Sequence, residues 1–347
     1  MAGSNTQALE ASSSRPMPPR AAPAIALLLL APIVAEVLFG VTHVTTLFIL
    51  IPQIGTWGCG ALVIQSLVRR RRRGWKALLM LGIAFALAEE CVIQQTSLAP
   101  LVGTDPNRVY GRLLGVNWVY LLWALGYESV WAVALPIQLV ELIFPARRHD
   151  PWVGRRGLSI AAVAFVFASL VAWYSWTQVA RPKVFHVPAY HPPLLAILIA
   201  LAAIVILSVA ALGLRPSPGP GRQRARRPPP PWRAGLSVFA LGLPWFALVA
   251  LAYGAAPALS PGVPLVGGLV LAGLAAFLAD SWSAGASWLD MHRFAVICGA
   301  LAASMLAGFQ VSGTVLLIDY IGKLILNGIA VLLLARLCRT LRSRASA

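Results

Sequence analysis

The chain of 347 residues is 59% hydrophobic and only 11% charged, where a soluble domain carries about 25% charged residues, and its formal net charge is +17. These values exclude a soluble globular fold: apolar stretches of about twenty residues recur along the chain, each long enough to cross a hydrocarbon layer of roughly 30 Å. The positive charge does not point to nucleic acid, because the 28 Lys and Arg gather in short clusters between apolar runs, where they set membrane orientation.

In chain order, residues 1–22 read as a disordered polar tail, with Ser12, Ser13, Ser14, Pro16, Pro18 and Pro19. Arg20 before an apolar run imitates a secretory leader. The run continues past Ala31 to Gly40 with no small-x-small cleavage pattern, so it reads as a retained first helix. Apolar runs predict membrane helices over 23–40, 46–68, 75–96, 116–144, 157–178, 193–214, 234–255, 264–282, 293–312 and 315–336, ten crossings in all. An alternative joins residues 22–51 into one tilted helix, with a compressed second span from Pro52; the parity is the same. The expected fold is therefore an all-α polytopic bundle of about ten transmembrane helices.

Basic residues orient it. Arg69 to Arg73 with Lys76, then Arg147, Arg148, Arg155 and Arg156, then Arg215 to Arg233, and finally Arg336, Arg339, Arg342 and Arg344 all fall on one side, which is expected to be the cytoplasm. Both termini then lie there. Trp118, Tyr120, Trp173, Tyr174 and Trp176 fall at the predicted outer interface, where amphipathic rings are most stable. The organisation expected is a cytoplasmic tail over 1–22, six helices over 23–214, a Pro/Arg-rich cytoplasmic linker over 215–233, four helices over 234–336 and a basic cytoplasmic tail over 337–347. A bacterial plasma membrane is the expected location.

The chemistry lies in the acids. Seven of the eleven Asp and Glu, namely Glu36, Glu89, Glu90, Glu128, Glu141, Asp280 and Asp319, fall inside predicted spans. An ionised side chain near the bilayer centre costs about 2.5–3.5 kcal/mol, so three or four would cost on the order of 10 kcal/mol, the scale of a whole domain's stability. Such groups must be protonated, paired or facing water. Glu36, Glu89, Glu90 and Glu128 fall at one depth, as a proton relay or cation site requires, and Gln94 lies one turn after Glu90 on the same face. The competing reading makes each Glu an interhelical hydrogen-bonding tie. Glu141 and Asp280 lie nearer the basic side, with Arg147 as a candidate partner. Asp319, Lys323 and Asn327 share one face of the last helix, and Asp319 is expected to pair with Lys323 across one turn. Trp123, Tyr127 and Trp131 form an aromatic stripe beside Glu128, expected to pack against other helices or lipid.

Cys59, Cys91, Cys298 and Cys338 show no CxxC or Cys/His spacing, and His43, His186 and His191 form no compact ligand pattern, so no metal is expected. No phosphate-binding loop and no GxGxxG motif appears, and nothing implies a cofactor. The expected surroundings are the lipid bilayer, a small-molecule or ion substrate, and a membrane protein partner.

Ala88-Glu89-Glu90 after a basic loop and Trp75, Ala31-Pro32 with Glu36, Gly115-Val116-Asn117-Trp118, and Pro136 through Glu141 to Pro145 resemble an uncharacterised family of bacterial multipass membrane proteins. The resemblance covers roughly the first 160 residues, with a looser echo at Asp290-Met291-His292-Arg293. It implies a multipass membrane fold and no mechanism. The double Glu is also similar to the first motif of the CAAX-protease and bacteriocin-processing family, which would imply intramembrane proteolysis. Here Gln94 replaces that family's Arg, Ala124 and Glu128 stand where Phe and His would be needed, and Val296 follows His292 in place of Asn or Asp. The reading favoured by these residues is a permease or transporter type with a buried carboxylate cluster; the alternatives are a glutamate-dependent intramembrane protease and a membrane scaffold.

Overall fold

The computed structural model describes residues 21–105, 109–215, 228–256, 258–283, 287–311 and 316–346. Most of the tail expected over 1–22 and of the linker expected over 215–233 lies outside these residues.

Ten helices follow one another among the described residues. They are α1 (Ala21–Val37), α2 (Val44–Arg70), α3 (75–93), α4 (Trp118–Ile143), α5 (Arg155–Val184), α6 (Leu194–Gly213), α7 (Pro231–Ala252), α8 (Gly262–Ser283), α9 (Asp290–Val311) and α10 (Leu317–Ser346). Eight of them are long and apolar enough to cross a membrane. The other two are α1, which is shorter, and α3, which carries Lys76, Glu89 and Glu90. The molecule is thus an all-α membrane bundle.

Residues 22–51 do not form one tilted helix. The chain breaks at Gly40, whose φ of +94° lies in the left-handed region that side chains rarely adopt, and α2 begins afresh at Val44. Between α3 and α4 the chain forms a small antiparallel hairpin, β1 (Arg112–Leu113) and β2 (Val116–Asn117), so the fourth helix starts two residues later than the apolar pattern suggests. Leu114 and Gly115 both have positive φ, as a two-residue turn matching the strand twist requires.

Burial sorts the helices into two shells. Of the apolar windows, 61% is buried in α4 and 50% in α2 and α9, but only 11% in each of α5, α6, α8 and α10. Leu195, Ile199, Val205 and Ile206 on α6, and Val266, Leu269 and Phe277 on α8, are exposed. In water such surfaces would drive association; in a bilayer they meet lipid. The inner shell is sealed by an aromatic seam: Trp123, Tyr127 and Trp131 stack along α4 at centroid spacings of 4.7 and 5.8 Å, with Phe39 and Phe246 against them. The stripe faces other helices. Helices α7 and α9 share the most extensive helix contact, and Gly235 and Gly299 remove side chains from it.

Candidate functional site

The buried acids sit on distorted helical turns. Four inner segments wind as π-turns: Ile33–Val37 in α1, Ile54–Gly58 in α2, Ala88–Ile93 in α3 and Glu128–Ala134 in α4. A π-turn inserts an extra residue into the helical ladder and recurs at functional sites. Here these turns carry Glu36, Trp57, Glu89 with Glu90, and Glu128. Neighbouring residues of a regular helix point about 100° apart. The wider turn in α3 accompanies the burial of both Glu89 and Glu90.

All four carboxyls are at least nine-tenths buried. Glu128 lies within electrostatic reach of Glu89, Glu90 and Glu36, and Glu36 reaches Glu89 and Glu90. Each has a local donor. Glu36 Oε2 accepts from Thr42 Oγ1 and Gln53 Nε2, both at 3.2 Å. Trp57 Nε1 donates to Glu128 Oε2 at 2.9 Å, and Ser97 Oγ donates to Glu90 Oε2 at 2.9 Å. Gln94, expected to face Glu90, donates instead to Glu89 Oε1 at 3.0 Å, because five residues rather than four make one π-turn. Glu89 Oε2 is buried with no hydrogen-bond partner, and so is Gln53 Oε1 beside Glu36. Tyr120 and Tyr127 complete the wall, Tyr127 donating its hydroxyl to the Ala35 carbonyl.

Thr42, Gln53, Trp57 and Ser97 are partners that the spacing of the acids does not reveal. A Gln within an apolar run was the one available signal, at Gln53; the others depend on how the chain returns after each helix. Among the described residues, no group of three or more His, Cys, Asp or Glu is gathered closely enough to hold a metal.

A second polar centre lies at the opposite end of the bundle. Glu141, fully buried, accepts from Arg69 of α2 and, at 2.6 Å, from Arg293 of α9, which also donates to Gln138 Oε1 at 2.9 Å. Arg147, the partner expected for Glu141, bonds Asp150 at 3.2 Å instead, because it follows the end of α4 and turns away with the chain. Lys76 pairs with Asp280 at 2.8 Å on the surface. His149 is exposed on the connection between α4 and α5, yet partial burial and then Arg69, Arg148 and Arg293 hold its pKa below the ordinary value. With the folded pKa below the unfolded value of about 6.5, neutral His149 contributes stability above that value, and the contribution is lost as pH falls below it. His149→Gln should therefore lose slightly less melting temperature than the parent protein between about pH 7 and about pH 5. An acid response identical to the parent's would contradict this.

The acid and base of α10 are not joined to each other. Asp319 accepts from the Thr45 backbone N and from Thr45 Oγ1, both at 3.0 Å, while Lys323 donates to the Phe39 carbonyl and sits 4.5 Å from the Phe309 ring. Thr45 lies in the first turn of α2 and Phe39 just beyond the end of α1, so the break between those helices supplies both partners, and Gly40 and Gly308 leave the space that the lysine fills. A cation there meets carbonyls at a helix C-terminus, where the helix dipole favours it.

The histidine that the likeness to the CAAX-protease family would use, His292, stands away from the four carboxyls. His292 lies in the first turn of α9, beside Arg293 and the Glu141 centre, and takes the Leu289 amide at 3.2 Å. Glu128 and Glu141 are thirteen residues apart on α4, or about 20 Å along the helix, so His292 sits at the far end of the bundle from the four carboxyls.

The family model for an uncharacterised membrane protein family matches residues 25–344. The chain belongs to that family. The match extends the likeness seen in the first helices across nearly the whole bundle, including α9 and α10. Comparison with curated proteins and with solved structures gives no match.

Proposed function

We propose that this membrane protein is of permease type and that Glu36, Glu89, Glu90 and Glu128, with Gln94, bind protons or a cationic substrate on a polar pathway. The observation that carries this reading is Glu89 Oε2: it is buried within electrostatic reach of the other acids and, among the described residues, has no donor. A carboxyl that served only to tie helices would have its oxygens satisfied by the neighbours it ties. A carboxyl with a free oxygen beside other acids can accept a proton or a cation. In this reading the arginine-rich end faces the cytoplasm, as the basic loops favour.

The test uses the full-length protein in liposomes with a trapped pH dye, challenged with ethylammonium, choline and spermidine. Cation entry exchanged for protons should alkalinise the lumen. Glu89→Gln and Glu90→Gln should each bring the signal down to that of protein-free liposomes, while Asp280→Asn, at the surface pair, should retain it. A parent signal no greater than that of empty liposomes, or one that survives both Gln substitutions together, would overturn the proposal.

A further inference from the structure

Arg181 stands apart from the carboxylate cluster and from the arginine-rich end. It lies on the π-helical extension Ser175–Val184 that closes α5, and only 3% of its surface is exposed. Its Nη2 donates to the Pro100 carbonyl at 3.0 Å, but Nε and Nη1 are buried with no partner. A guanidinium offers five N–H donors, and burying a cation without a counter-charge is among the most costly things a fold can do. The charged and titratable groups acting on Arg181 are Arg112, which repels it, and the Tyr253 phenol. Among the described residues, no carboxylate supplies the balancing charge.

The space beside it has the matching character. Arg181 lines a cavity of about 110 Å³ together with Pro100, Leu101, Val187, Pro188, Tyr190 and the exposed Ala189. This is several times the roughly 30 Å³ that one water occupies in the liquid. The Tyr190 hydroxyl accepts from Arg112 Nη2 at 3.3 Å, and the Arg112 guanidinium lies 5.7 Å from the Tyr190 ring, so a second cation backs the cavity wall. Arg112 is already committed to Asn117 Oδ1 and the Leu98 carbonyl, both at 2.7 Å, which leaves Arg181 as the group with spare donors.

We infer that this cavity is a binding site for a small oxyanion of the phosphate class, with Arg181 as the cation that holds it. A phosphate oxygen supplies both the missing acceptors and the missing charge, and guanidinium suits it in geometry. The phosphate comes either from solution or from a lipid headgroup, since Arg181 closes a membrane-crossing helix. The inference uses no part of the transport reading.

The experiment is calorimetric titration of the purified full-length protein with inorganic phosphate, paired with native mass spectrometry in the presence of phosphatidylglycerol and phosphatidylcholine. Saturable phosphate binding that weakens about tenfold or more in Arg181→Lys, the scale of one lost charge-assisted hydrogen bond, identifies a site for the free ion. No phosphate binding, but a phosphatidylglycerol adduct that Arg181→Gln removes, identifies the lipid headgroup as its source. Ala189→Trp leaves the guanidinium in place and fills the cavity from its exposed rim, so it should abolish binding even if the Arg181 variants fail to fold. Binding of either phosphate source that persists in Ala189→Trp, or no binding by the parent protein, overturns the inference.

Discussion

Glu141→Leu should destabilise the folded bundle by about 3–5 kcal/mol, read as a lower midpoint in unfolding by sodium dodecyl sulfate. The carboxylate is fully buried and compensates Arg69 and Arg293, whose side chains are only 18% and 16% exposed. Removing it leaves two guanidiniums desolvated and facing each other, and desolvation of an unpaired ion outweighs the apolar area that Leu gains. Replacing all three residues together, as Arg69→Met, Glu141→Leu and Arg293→Met, should recover most of the loss, because no uncompensated charge then remains. A single-variant loss under about 1 kcal/mol, typical of a solvated surface pair, would mean that water reaches the triad.

Gly299→Leu should separate α7 from α9 and cost about 1–3 kcal/mol or more, the scale of overpacking in a close-packed interior. A Cβ at Gly299 would run into the Gly235 carbonyl oxygen and approach the Phe239 backbone N at 3.2 Å, and backbone atoms cannot swing aside as a side chain can. Gly235 faces the same limit from the other helix, where a Cβ would meet the Ala295 carbonyl oxygen at 2.6 Å. Membrane helices gain association energy from such close backbone approach, so opening the pair removes its main attraction. Gly267→Leu on α8 is the control, since its added Cβ meets nothing within 4 Å. Equal melting temperatures for the two variants would remove the argument.

The spans were legible because lipid demands long apolar runs, which length and hydrophobicity reveal directly. The burial of Glu36, Glu89, Glu90 and Glu128 was legible for the same reason, since each falls inside an apolar run. Hydrogen-bond partners were less so. Gln94 was assigned to Glu90 by the four-residue spacing of an α-helix, and nothing in Ala88–Ile93 announces the extra residue of a π-turn. Asp319 and Lys323 obey the same spacing, yet the break after α1 offers each a better partner from elsewhere in the chain. The hairpin at 112–117 turns on Leu114-Gly115, not on the Asn-Gly or Asp-Gly that marks such turns in sequence. Arg69 and Arg293 could not be matched to Glu141 without knowing which helices adjoin α4.

The last helix has thirty residues and measures about 45 Å, half as long again as a hydrocarbon core of roughly 30 Å. Tilt relieves a few ångströms of such mismatch, not fifteen. Its final turns therefore rise out of the hydrocarbon as a continuous post bearing Arg336, Arg339, Arg342 and Arg344, all exposed, with Arg344 also braced against the Leu142 carbonyl at 3.2 Å. Each arginine near an anionic leaflet gains about 1 kcal/mol of attraction, which fades within a Debye length of the surface. Headgroup charge is therefore expected to help seat the bundle at this end, an effect that should soften as salt rises or anionic lipid is withdrawn.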